Sequence, residues 1–166
     1  MRSFVAWSAV CLALVGTVVA QEAKMMPKHV MVNASDIKWG EPPAKLEKGA
    51  SFAVISGDPG QAGPYVVRLK MPAGYKIAPH WHPTDENVTV ISGTFALGMG
   101  DKFDPAAMKE LPAGGFGLLP AEMRHFAMAK TETTVQVHGI GPFVLTYVNP
   151  ADDPSMRATT TKPTTE

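Results

Sequence analysis

From residue 29 onward, apolar and polar positions alternate in short runs. His29-Val-Met-Val-Asn, Ser51-Phe-Ala-Val-Ile-Ser, Tyr65-Val-Val-Arg-Leu-Lys-Met and Tyr75-Lys-Ile-Ala-Pro-His open the series. Asn87-Val-Thr-Val-Ile-Ser, Thr94-Phe-Ala-Leu-Gly-Met, Gly117-Leu-Leu and His125-Phe-Ala-Met-Ala follow. Thr134-Val-Gln-Val-His and Phe143-Val-Leu-Thr-Tyr-Val close it. A period of two is the mark of a strand with one buried face. Between the runs lie Gly57-Asp-Pro-Gly, Met71-Pro-Ala-Gly, Ser92-Gly, Pro112-Ala-Gly-Gly and Gly139-Ile-Gly-Pro. There glycine supplies positive φ and proline fixes φ, which chain reversals require. Only Asp104-Pro-Ala-Ala-Met-Lys-Glu-Leu suggests helix, with Asp104 as cap and Pro105 at the first helical position. Many short strands at this spacing predict a single all-β domain: a sandwich, a jelly roll or a small barrel.

The two ends have a different composition. Arg2 is the only charge in the first twenty residues, and an apolar run from Phe4 to Val15 is broken only by Ser8. Val18-Val19-Ala20 then gives a small-residue exit. This is the pattern of a cleaved secretory signal over residues 1–20, with a mature start at Gln21. The apolar run is shorter than the ~20 residues a bilayer needs, so no membrane association is expected after cleavage. The expected location is periplasmic or secreted. Residues 21–28 read as a flexible leader and residues 29–150 as the folded domain. Residues 151–166 read as a disordered, threonine-rich tail.

Cleavage would remove Cys11, the only cysteine, and leave a domain without disulfides. Such a domain relies on its core or on a metal. Fifteen basic and fifteen acidic side chains balance in the full chain. That neutrality gives no electrostatic pull on nucleic acid, so a small-molecule partner recognised locally is expected.

The candidate chemistry lies on two runs. His80 and His82 are two apart, so in extended chain both face one way and Trp81 the other. Glu86 opens the next run in phase with Val88 and Val90. A carboxylate among buried valines needs a cation or hydrogen-bond donors, because an isolated buried charge is very costly. Two imidazoles and that carboxylate on one metal ion meet the need. His125 lies on a later strand, in phase with Ala127 and Ala129, whose small side chains leave space inside.

These residues carry a family resemblance. Gly74, His80-Trp81-His82, Glu86 and Gly93 match the first cupin motif at each defined position. Gly114, Pro120 and His125 match part of the second, which departs at Glu122, where the family has glycine, and at Ala129, where it has asparagine. The chain therefore resembles the small single-domain bacterial cupins over roughly residues 29 to 149. The resemblance implies a double-stranded β-helix, or jelly-roll barrel, and one divalent metal ion on His80, His82, Glu86 and His125. Iron, manganese, nickel, zinc and copper suit that donor set about equally. Cupins of this size commonly form homodimers, with His29 to Asn33 as an edge strand toward a partner. Glutamate resists positive φ, which sets Glu122 against the expected tight turn. Ala129 removes a polar group expected to hold the local backbone.

The leading expectation is a metal-dependent, dioxygenase-like enzyme acting on a small, oxygen-bearing, chelating molecule. The rivals are a non-catalytic binding or sensing module and a metal that serves only as a structural staple. No catalytic acid or base is assigned. Tyr65, Arg68, Gln136, His138 and Tyr147 read as structural or exposed, as does Trp81. His29 and His138 fit no ligand spacing.

Overall fold

The computed structural model describes residues 29–157. The expected signal sequence, the leader and the last nine residues of the expected tail lie outside them. Ten strands run β1 (Ser51–Ser56), β2 (Gly63–Met71), β3 (Lys76–Trp81), β4 (Glu86–Ser92) and β5 (Thr94–Met99), then β6 (Lys109–Pro112), β7 (Phe116–Leu119), β8 (His125–Ala129), β9 (Thr133–Gly141) and β10 (Thr146–Tyr147). They form two five-stranded antiparallel sheets, ordered β1-β2-β9-β4-β7 and β10-β3-β8-β5-β6. The chain passes repeatedly from one sheet to the other, which is the cupin jelly roll.

Alternation decides what lies between the sheets. Tyr65, Val67, Leu69 and Met71 of β2 face inward, as do Val88 and Val90 of β4, Phe95 and Leu97 of β5, and Val135 and Val137 of β9. Each buried aliphatic side chain stabilises the fold by about 1.5–3 kcal/mol over an exposed one. Phe126 departs from the simple pattern. It faces outward from β8 yet is fully buried, tilted against Phe103 with ring centroids 5.2 Å apart. Gly98 makes that possible, since a Cβ there would stand 2.2 Å from the Phe126 ring.

Several expectations change. Residues 29–33 form no strand within the single chain and lead into a 3-10 turn, Ala34–Asp36. Asp104 does cap a helical turn by accepting from the Ala106 amide, but the turn is a short 3-10 segment, Pro105–Ala107. The residues after it join the sheet as β6, because pairing with β5 satisfies more backbone groups than a lone helix turn could.

The start of the expected tail is ordered as well. Pro150–Asp152 forms a 3-10 turn and Pro154–Arg157 one helical turn, α1. Asp153 anchors this segment, accepting from the Ser155 amide and hydroxyl and pairing with Lys45. Arg157 pairs with Glu47. Polar anchors rather than apolar burial order it, a device that composition does not reveal.

The segment from Gly40 to Ala50 crosses the open side of the barrel before β1 begins. Main-chain bonds join Gly40 to Phe52 in both directions at 2.9 Å. The Tyr147 hydroxyl donates to the Lys45 carbonyl and the Tyr75 hydroxyl to that of Glu47, each at 2.6 Å. Pro43 to Leu46 thereby form a strap over the interior.

Candidate metal centre

Four side chains named from the sequence meet inside one end of the barrel. Strand register brings them there: His80 of β3 is directly opposite His125 of β8, and Glu86 begins β4 in the facing sheet. His82 follows β3 in the loop that joins the two sheets. All four are buried, and one donor atom from each lies within 4.8 Å of the others.

The backbone sets the tautomers. Nδ1 of His80 lies 2.7 Å from the Ala78 carbonyl, Nδ1 of His82 2.8 Å from that of Val144, and Nδ1 of His125 2.8 Å from that of Met123. A carbonyl only accepts, so each Nδ1 donates. In a neutral ring that leaves the Nε2 lone pair free. Nε2 of both His82 and His125 is buried without a hydrogen-bond partner. Glu86 Oε2 stands 3.3 Å from Nε2 of His125 and 3.6 Å from Nε2 of His82. Acceptors facing acceptors in a buried space is an unfavourable arrangement that a shared cation reverses. The donor set therefore fits a divalent metal ion.

Electrostatics point the same way. Burial, with the neighbouring imidazoles, pushes His80 down to about 3, and burial also lowers His82. Burial alone would raise the Glu86 carboxyl, but the surrounding imidazoles outweigh it and hold the group below its ordinary value. Burial thus favours neutral imidazoles at His80 and His82 beside the Glu86 carboxylate. Phe143 stacks on His82, with centroids 4.5 Å apart and planes at 21°, and limits rotation of that ring.

The two departures from the second cupin motif are absorbed locally. Glu122 takes a positive φ of 64° in a tight turn, so the turn forms despite the lack of glycine. Its amide donates to the His82 carbonyl at 2.7 Å, and the Ala121 amide donates to Asp85 Oδ1 at 2.8 Å. These bonds tie the turn before His125 to the loop that carries His82. At Ala129, main-chain bonds do the holding: its amide donates to Tyr75 and its carbonyl accepts from Gly74.

Behind the four residues is a cavity of about 290 Å³. Its walls include Phe52, Leu46 and Phe143, none of which the sequence reading singled out as functional. Apolar spacing marks such residues only as core. Gln136, Arg68 and His138 stay off these walls, and Gln136 accepts from Arg68 Nε at 3.1 Å. Tyr147 contacts His80 at a centroid distance of 6.1 Å. Tyr65 is buried with its hydroxyl unpartnered, and burial, with the Glu86 charge, raises it above its ordinary value.

Known structures share this architecture. The polyketide cyclase RemF of Streptomyces resistomycificus superposes with a TM-score of 0.62 at 17% identity, over 81% of this chain and 94% of that one. A candidate acetylacetone dioxygenase of Methylibium petroleiphilum gives 0.60 at 20% identity, over 84% and 99%. An RmlC-like cupin of Shewanella frigidimarina gives 0.54 at 16% identity, over 70% and 94%. At these identities the likeness establishes the fold. No curated protein sequence matches. The family model of the ChrR cupin-like domain matches residues 27–144. The chain belongs to the ChrR cupin-like domain family, within the cupin superfamily.

Proposed function

We propose that this protein is an exported, metal-dependent enzyme of the dioxygenase type that acts on a small, oxygen-bearing chelating molecule. The observation that carries the proposal is the joining of two features: four buried donors within 4.8 Å, and a cavity of about 290 Å³ that opens from them. Export rests on the composition of residues 1–20. The oxygen chemistry draws support from the structural neighbour named as a candidate acetylacetone dioxygenase.

Bound on His80, His82, Glu86 and His125, a divalent iron, manganese, nickel, zinc or copper ion would supply Lewis acidity and, where redox-active, electron exchange with dioxygen. The chain's own residues do the rest. The Ala78, Val144 and Met123 carbonyls keep protons on Nδ1 and hold three Nε2 lone pairs inward. The Glu86 carboxylate offsets part of the cation's charge. Apolar walls and the Pro43–Leu46 strap exclude water and confine the substrate beside the donors. Four protein donors would leave such an ion with room to accept substrate oxygens.

A second reading, a non-catalytic binding or sensing module, is favoured by one observation. Among the described residues lining the cavity, the four donors and Lys45 are the only ionisable groups, and the Lys45 ammonium is held by Asp153. Metal analysis followed by oxygen uptake against diphenols, flavonols and keto acids separates the readings. Dioxygen consumption supports the enzyme, and tight binding without consumption supports the module. A protein that does neither contradicts both.

A further inference from the structure

The walls of the cavity narrow the substrate class. Val67, Leu69 and Val137 line it from one sheet, and Ile77, Leu97 and Ala127 from the other. Among the described lining residues there is no side-chain hydroxyl or amide. The one lysine has its ammonium 2.5 Å from an Asp153 carboxylate oxygen. A sugar, a dicarboxylate or an amino acid would lose water from several polar groups here and gain no partner for them, a loss paid for each group. An apolar body meets the opposite balance, because each methylene leaves water for a surface that already excludes it.

Charge narrows the polar end. Among the described residues, Glu86 is the only acid lining the cavity. Three imidazoles coordinating through their lone pairs, one carboxylate and a divalent ion would together carry one net positive charge. A singly ionised pair of chelating oxygens would neutralise it, whereas a doubly ionised chelator would leave excess charge in an apolar enclosure. The volume, about 290 Å³, corresponds to roughly ten water-sized groups.

We infer that the cavity takes a molecule of roughly ten non-hydrogen atoms, with a chelating oxygen pair at one end, singly ionised at most, and an uncharged hydrocarbon or aromatic body. The head of that assignment rests on the metal reading above, and the body rests on the walls alone.

Titration calorimetry on the full mature chain tests it. The probes are 4-methyl-, 4-ethyl- and 4-propylcatechol, with 3-(3,4-dihydroxyphenyl)propanoic acid as a carboxylate-ended comparator of similar length. Metal content is measured on the same sample, and the series is repeated after chelator treatment. Affinity is expected to rise about fourfold per added methylene, and the carboxylate comparator is expected to bind at least about tenfold more weakly than 4-propylcatechol. After chelation, overall affinity falls and the dependence on length remains. Ala127→Leu, which fills the cavity, flattens the series with metal content unchanged. Leu97→Ala, which enlarges it, extends the series to longer chains and keeps the test alive if Ala127→Leu does not fold. A flat series in folded, metal-loaded protein, or tighter binding of the carboxylate, overturns the inference and leaves the metal reading intact. A series whose overall affinities do not fall when the metal is removed overturns the metal reading and supports the apolar body.

Discussion

Tyr147 of β10 stands directly opposite His80 of β3, and its hydroxyl donates to the Lys45 carbonyl at 2.6 Å. One tyrosine therefore touches a candidate metal donor with its ring and holds the strap with its hydroxyl. The strap is also held by Tyr75 and by the pairs Lys45–Asp153 and Glu47–Arg157. Its closure is coupled to the wall that carries the centre.

Tyr147→Phe keeps the ring and removes the bond to Lys45. The expected cost is about 1 kcal/mol, seen as a fall of about 3–5 °C in melting temperature, with metal content unchanged. Limited proteolysis should then cut near residues 43–47 faster than in the parent. An unchanged cutting rate there would mean that the other contacts suffice.

Acid should loosen the same strap. Lys45, and then Ser155, hold the Asp153 carboxyl below its ordinary value in the folded chain. A carboxyl with a lower folded than unfolded value stabilises the fold above the unfolded value, near 3.8. That stabilisation is lost as pH falls through the folded value. Melting temperature followed from pH 6 downward should therefore drop less steeply below about pH 4 in Asp153→Asn than in the parent. Parallel curves would show that Asp153 is not a source of the acid sensitivity.

Glu122 occupies a left-handed conformation that costs a non-glycine residue about 1–2 kcal/mol. Glu122→Gly removes that cost and adds unfolded-state entropy worth about 0.4–1 kcal/mol. The net expectation is a gain of about 0.5–1 kcal/mol, read by denaturant unfolding. A loss would indicate that the Glu122 side chain contributes more than its backbone strain costs.

Gly98→Ala places a methyl group 2.2 Å from the Phe126 ring, which must shift against Phe103 to admit it. Overpacking of this kind costs about 1–3 kcal/mol. Gly98→Ala combined with Phe126→Leu should recover part of that loss. If the single variant melts with the parent, the packing described for Phe126 is wrong.

The centre was largely legible in the sequence because alternation holds from each ligand to its near neighbours, although a register shift between Ile77 and His80 interrupts it upstream. His80, His82, Glu86 with Val88 and Val90, and His125 with Ala127 all point inward as their phase requires. Phe126 was less legible, since its cover comes from Phe103 in a loop and not from the facing sheet. The strap and α1 were illegible. Their order comes from tyrosine hydroxyls and ion pairs between residues about a hundred positions apart, which no local pattern records. The tight turn at Glu122 forms because its amide and that of Ala121 are bonded to the neighbouring loop, a gain that local propensity does not count.

The central claim is that Nε2 of His80, His82 and His125 and a Glu86 oxygen share one ion. The most direct measurement is metal stoichiometry by elemental analysis of the mature protein, reconstituted with each candidate first-row ion and then desalted. The account expects close to one ion per chain, falling to near zero in His80→Ala/His125→Ala while the β-sheet circular dichroism persists. Desalted parent protein that held none of these ions, or a double variant that held as much as the parent, would contradict it.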